Sequence, residues 1–272
     1  MSVSNFTKRL IFGALYIGVL GFGILYNEST YIGLFFILML LSLYEFTKML
    51  KAKCGAVYLI SALFFITLVF VMKYEFQYPQ QALYLKIGLF VSFFIPFIST
   101  LFFVKEDVIK TISKAYLSIA YIAIPFTLLA LLSFLGESFE QIKWVVLGIL
   151  VLIWTNDSFA YLVGKNFGKT KLLERISPNK TIEGFFGGMF FTFVLSYFIA
   201  KYSYLSITNW LIIALLVSVF GVLGDLIESM FKRNTGVKDS SNFIPGHGGF
   251  LDRLDSLIFV APFVFVYLLI VG

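Results

Sequence analysis

The chain is short of nearly everything a soluble protein uses. Of 272 residues only 13% are charged, one is cysteine, one is histidine and six are proline. A single cysteine, Cys54, excludes an intrachain disulfide, and with one histidine no Cys/His cluster has zinc-site spacing. No Walker A or Rossmann fingerprint occurs. Neither a low-complexity tract nor a Pro/Gly/Ser-rich linker nor a sequence repeat divides the chain, so a single membrane domain over 1–272 is the economical expectation. So little charge, against 60% hydrophobic residues, excludes an ordinary soluble domain. The apolar runs approach the roughly 20 residues needed to cross the hydrocarbon core and lack the alternation of barrel strands, which predicts an all-α polytopic membrane helix bundle.

Nine spans are predicted, at about 10–26, 31–49, 56–72, 84–103, 115–135, 143–163, 181–200, 206–230 and 250–270. The first follows Lys8 and Arg9 but lacks a convincing cleavage site, and reads as an uncleaved span rather than a signal peptide. This list places 17 of the 21 basic residues on one side: Lys8, Arg9, Lys48, Lys51, Lys53, Lys105, Lys110, Lys114, Lys165, Lys169, Lys171, Arg175, Lys180, Lys232, Arg233, Lys238 and Arg253. Only Lys73, Lys86, Lys143 and Lys201 fall on the other. The positive-inside rule then predicts a cytoplasmic N-terminus and puts the polar loops 164–180 and 231–249 together on the cytoplasmic face of the plasma membrane. The net charge of +6 reflects this asymmetry and does not signal a nucleic-acid partner. Residues 1–140 read mainly as scaffold, because ionisable groups there cluster at span ends. Residues 141–272 carry the polar chemistry.

Charge inside a bilayer costs about 2.5–3.5 kcal/mol per Asp, Lys or Arg at a helix centre, so charged residues within spans are functional candidates. In "WTNDSFAYLVGKNFGKTK", residues 154–171, Asp157, Tyr161 and Lys165 fall along one helical stripe. Asp157 either lines a polar site or packs against Asn156, Ser158 or a lysine. In "ISPNKTIEGFFGG", residues 176–188, Ser177 and Pro178 resemble an N-cap and a first-turn proline, with Lys180 and Thr181 beside a helix start that favours anions. An ordinary capped helix explains the same residues. Glu183, Gly184, Gly187 and Gly188 are equally compatible with tight helix packing.

The third segment, "SMFKRNTGVKDSSNFIPGHGGFLDRLDS", covers residues 229–256. Counted from Asp225, the residues Glu228, Ser229 and Lys232 share a helix face, and Asp252 and Asp255 repeat the spacing of three. Two acidic faces flanking a short loop repel unless protonated or bridged, and Mg²⁺ is the simplest bridge. Between them lie Lys238, His247 and the glycines 246, 248 and 249, which permit close approach of backbone to a ligand. Carboxylates for metal and cations for phosphate point to phosphoryl or nucleotidyl transfer onto a membrane-embedded substrate.

The order Ser229, Lys232, Arg233, Lys238, Asp239, His247, Gly248, Gly249, Asp252, Arg253 and Asp255 resembles the signature of the phosphatidate cytidylyltransferases, the CDP-diacylglycerol synthases. Asp157, Ala160, Tyr161, Gly164, Ser177, Pro178, Lys180, Thr181, Glu183 and Gly184 extend the resemblance over about the last 120 residues. Asn179 departs from it, standing where many relatives carry a second lysine. The resemblance implies transfer of the cytidylyl group of CTP to phosphatidate, giving CDP-diacylglycerol and pyrophosphate. It also implies Mg²⁺, alone or with a second cation, and membrane lipids as partners; a homodimer is compatible with the family.

On that resemblance Asp225 and Asp252 are expected to hold the metal. Lys238, Asp239, His247, Arg253 and Asp255 would join them in the catalytic group. Asp157, Tyr161, Ser177, Lys180, Thr181, Ser229, Lys232, Arg233, Gly248 and Gly249 are the expected substrate-binding residues. Phe185, Phe186 and Phe250 are candidates for an acyl path, and ordinary lipid-facing residues would read the same way. The competing functions are a CTP-dependent lipid kinase and a cation-coupled transporter.

Overall fold

The computed structural model describes residues 3–52, 55–241, 243 and 248–271, with the side chains of 3–10 left aside. His247, Gly246, Lys53 and Cys54 lie outside the described residues. The chain is helical almost throughout, as its apolar runs require: in hydrocarbon every backbone N–H and C=O must be satisfied within the segment. Eight helical stretches among the described residues are long and apolar enough to cross a bilayer. They match the second to ninth predicted spans. The first corresponds to α1 (Val3–Leu25), of which the apolar part Ile11–Leu25 is described in full.

One unit comprises residues 1–134 and 240–251. It contains α1, α2 (Glu28–Met49), α3 (Ala56–Tyr74), α4 (Pro79–Ser92), α5 (Ile95–Phe103), α6 (Val108–Ser118) and α7 (Ile124–Leu131). Asn27 and Thr30 form a reciprocal capping box that starts α2. The fourth predicted span is broken into α4 and α5 just before Pro96, and the fifth passes through a π-helical stretch, Ile119–Ala123, just before Pro125. A proline removes one rung of the helical ladder, and a break or a wider turn accommodates the loss. The buried Tyr31 hydroxyl donates to the Leu129 carbonyl at 2.6 Å, joining α2 to α7.

The second unit comprises residues 135–239 and 252–272. It contains α8 (Phe139–Phe167), a hairpin of β1 (Lys171–Leu173) and β2 (Ser177–Thr181), α9 (Ile182–Ala200), α10 (Ile207–Thr235) and most of α11 (Leu251–Val271). Helices α8 and α9 meet at glycine: a Cβ on Gly184 would stand 2.6 Å from the Ala160 carbonyl oxygen, and one on Gly188 2.7 Å from that of Asn156. Helices α10 and α11 meet in the same way at Gly224, where a Cβ would lie 2.6 Å from the Asp255 carbonyl oxygen. Small residues at crossings let backbones approach, which is how helices gain packing in lipid.

The hairpin corrects one expectation. Ser177 and Pro178 lie in β2 and do not start a helix. The N-cap of α9 is Thr181, whose hydroxyl accepts the Gly184 N–H at 3.1 Å. Glu183 holds the hairpin's approach to that cap, its carboxylate accepting the N–H groups of Lys169 and Thr170 at 3.0 and 3.1 Å.

Candidate active site

A cavity of about 640 Å³ opens within the second unit, bounded by the end of α8, the hairpin, the start of α9, the middle of α10 and the first turns of α11. Each of the three polar segments contributes to it. Asp157, Tyr161 and Lys165, one stripe of α8, all line the wall. Ser177, Lys180 and Thr181 come from the hairpin and cap, Asp225 from α10, and Asp252, Arg253 and Asp255 from α11. Ala160, Gly164, Gly184 and Phe185 complete much of the remainder.

Four carboxylates therefore share one cavity with Lys165, Lys180 and Arg253. The close crossing at Gly224 explains part of this crowding, since it presses the turn of α10 that bears Asp225 against the turn of α11 that bears Asp255. Lys180 partly neutralises the cluster: its Nζ is 2.6 Å from Asp225 Oδ2. On the other carboxylate oxygen, Ser229 Oγ donates to Asp225 Oδ1 at 3.2 Å. Ser229 thus orients Asp225.

Lys232 has a similar indirect place. Its Nζ lies 2.7 Å from Asp252 Oδ1 and 2.5 Å from Oε2 of the fully buried Glu228. It fixes Asp252 from behind the cavity wall.

The remaining expected residues stand elsewhere. Arg233, on the last turn of α10, and Lys238 and Asp239, in the turn after it, are exposed, and among the described residues that line the cavity they are not included. Gly248 has a left-handed backbone, φ 83°, and Gly249 is buried within the first unit. Phe250 packs against Phe243 there with the two rings tilted by 50°, and Phe186 is exposed on α9. Lys165, Leu172, Asn179, Val222 and Ser256 line the cavity without having been assigned a role from sequence. The stripe through Asp157 and Tyr161 already signalled Lys165.

Among the described residues no three metal-ligating side chains stand close enough to bind a metal by themselves. The donor chemistry nonetheless suits Mg²⁺, which takes one or two carboxylates and completes its octahedron with water and phosphate oxygens. Asp225 and Asp252 both offer carboxylate oxygens to the same cavity.

Fold and cavity together define a class: an integral membrane protein with a mixed acidic and basic pocket suited to phosphate chemistry. More particularly, the chain belongs to the cytidylyltransferase family, whose sequence profile matches residues 7–271. Among its relatives, the phosphatidate cytidylyltransferase of Bacillus subtilis (strain 168) is 53% identical over 120 residues, 43% of this chain and 45% of the relative. The phosphatidate cytidylyltransferase of Staphylococcus aureus (strain COL) is 42% identical over 155 residues, 56% of this chain and 57% of the relative. That of Staphylococcus epidermidis (strain ATCC 12228 / FDA PCI 1200) is 41% identical over the same length. The matched stretches span about half the length of these curated relatives.

Proposed function

We propose that this protein transfers the cytidylyl group of CTP to phosphatidate, releasing pyrophosphate and leaving CDP-diacylglycerol in the membrane. The observation that carries the proposal is the convergence of Asp157, Asp225, Asp252 and Asp255 with Lys180 and Arg253 on one cavity. Family membership and the relatives' names agree with it.

In the proposed reaction a phosphate oxygen of phosphatidate attacks the α-phosphorus of CTP. The bond from that phosphorus to the bridging oxygen of the β-phosphate breaks, and pyrophosphate leaves with the electron pair. The attacking phosphate is already anionic at neutral pH, so its activation needs no protein base. Catalysis then rests on positioning and on neutralising charge.

Lys180 and Arg253 are the phosphate-binding groups in this scheme. Before substrate arrives Lys180 is held by Asp225. A nucleotide phosphate offers the same lysine an alternative anionic partner, which frees Asp225. Asp225 and Asp252 are the residues that would hold Mg²⁺. The ion would supply charge neutralisation on the reacting phosphates. Ser229 and Lys232 keep these two aspartates in place. Asp157 and Asp255 complete the wall. We place this cavity on the cytoplasmic side of the plasma membrane, where CTP is found, on the strength of the basic-residue asymmetry.

The test uses purified protein in detergent with short-chain phosphatidate, Mg²⁺ and CTP, and identifies the products. A lipid carrying cytidine, formed in step with pyrophosphate, is the expected result. CDP with a lipid lacking cytidine would replace the proposal with a lipid kinase. Cation-coupled flux in sealed vesicles without CTP turnover would replace it with a transporter.

A further inference from the structure

Glu45 lies near the end of α2, in the half of the chain that reads as scaffold, and it is buried with 2% of its surface exposed. A buried carboxylate needs compensation, and this one receives it from a single stretch about 200 residues later in the chain. Ser241 Oγ donates to Oε1 at 2.6 Å and Ser240 Oγ to Oε2 at 3.1 Å. At the other end of the same loop the Phe250 N–H donates to Oε1 at 3.0 Å and the Leu251 N–H to Oε2 at 2.8 Å. Both oxygens thus hold both ends of the loop.

Leu251 is the first residue of α11. Its N–H and that of Phe250 are among the donors that a helix start leaves without a partner in the helix, and Glu45 supplies the acceptor and the negative charge from another helix. Asp252 and Arg253, both lining the cavity, are the next two residues of the chain. The arrangement also accounts for Gly249. A Cβ there would overlap Ser240 Oγ and Glu45 Oε2, so only glycine lets the loop close on the carboxylate.

We infer that Glu45 is a positioning residue for the proposed reaction: it clamps Ser240 and Ser241 together with Phe250 and Leu251, and thereby fixes the first residue of α11, to which Asp252 and Arg253 are joined directly in the chain. The inference rests on the function proposed above, but the clamp itself can be measured without it. Amide exchange of Phe250 and Leu251, followed by mass spectrometry on purified protein, reports the clamp alone. Turnover of CTP and phosphatidate reports its consequence.

In Glu45→Gln the side-chain amide nitrogen cannot accept a hydrogen bond, so at least one N–H loses its partner. Exchange at 250–251 should speed up by on the order of 10-fold or more, the scale expected for losing one such bond to a charged acceptor. The turnover number should fall by on the order of 10- to 100-fold, with the KM for CTP changed much less, as expected when reacting groups shift without leaving the site. Ser241→Ala, which removes one donor and leaves the carboxylate, should show a smaller change in the same direction. The double variant should lose less than the product of the single losses, because both act through one contact. Ser241→Ala alone carries the test if Glu45→Gln does not accumulate as folded protein.

Unchanged amide exchange in the variants would overturn the clamp. A lower melting temperature with unaltered turnover per folded molecule would overturn the positioning role and leave Glu45 a stabilising residue. If the wild type itself makes no cytidine-bearing lipid, the proposed reaction fails, while faster exchange in Glu45→Gln would still establish the clamp.

Discussion

Lys232 on α10 reaches Asp252 on α11, Nζ to Oδ1 at 2.7 Å, while the same ammonium lies 2.5 Å from the buried Glu228. One cation therefore balances two carboxylates, one structural and one on the cavity wall. Replacing Lys232 with methionine would leave Glu228 without its compensating charge. Breaking a buried pair from one side costs about 3–5 kcal/mol, so Lys232→Met should unfold well below the wild-type temperature. Adding Glu228→Gln should recover much of the stability. It should not recover turnover, because the Lys232 ammonium no longer holds Asp252. Thermal unfolding and CTP turnover of the single and double variants check both halves.

Gly221 and Gly224 lie one turn apart on α10 and should behave differently. A Cβ on Gly224 would meet the Asp255 carbonyl at 2.6 Å, whereas one on Gly221 would meet side-chain carbons at 3.8 Å, ordinary contact. Gly224→Ala should cost about 1–3 kcal/mol by overpacking and should also lower turnover, since it parts the turns bearing Asp225 and Asp255. Gly221→Ala should leave both within experimental error. Melting temperature and turnover for the two variants decide it.

The α9 cap gives a similar contrast. Thr181→Ala removes the acceptor for the Gly184 N–H and should destabilise by about 1 kcal/mol, with Thr181→Ser restoring it. Ser177→Ala, in the strand before the cap, should not affect the helix start. Chemical denaturation of the three variants tests the assignment.

That cap also shows where sequence reading stopped. The span pattern was legible because lipid imposes long apolar runs, and the charged residues inside spans led directly to Asp157, Asp225, Asp252 and Asp255. The Ser177-Pro178 pair carried a helix-start signal that the hairpin overrode, since pairing with Lys171–Leu173 satisfies β2 before α9 can begin. Spacing put Ser229 and Lys232 on the helix face of Asp225, and only the family resemblance put them among substrate-binding groups. Their bonds to Asp225 and Asp252 are tertiary facts without a local signature. Glu45 was invisible for the same reason: Ser240, Ser241, Phe250 and Leu251, which donate to it, lie 195 to 206 residues away. An acid near a span end looks like any residue at a membrane surface until its partners are known.

Lys180 offers a prediction specific to the nucleotide. Its ion pair with Asp225 should give way to substrate phosphate, so Lys180→Met should weaken both. Loss of one preorganised phosphate contact lowers kcat/KM by roughly 100-fold or more. Steady-state kinetics with CTP as the varied substrate measures it, and a change of less than a few fold would remove Lys180 from the site.

The most direct test of the account follows the α-phosphate of labelled CTP in wild type, Asp225→Asn and Asp252→Asn, each verified as folded by its melting curve. The account predicts label in the lipid for the wild type, and for either asparagine variant a loss of roughly 100-fold or more, the scale for removing a group that stabilises transferring phosphate. Label transfer near the wild-type rate in both variants would contradict it, because the chemistry would then have to occur outside this cavity.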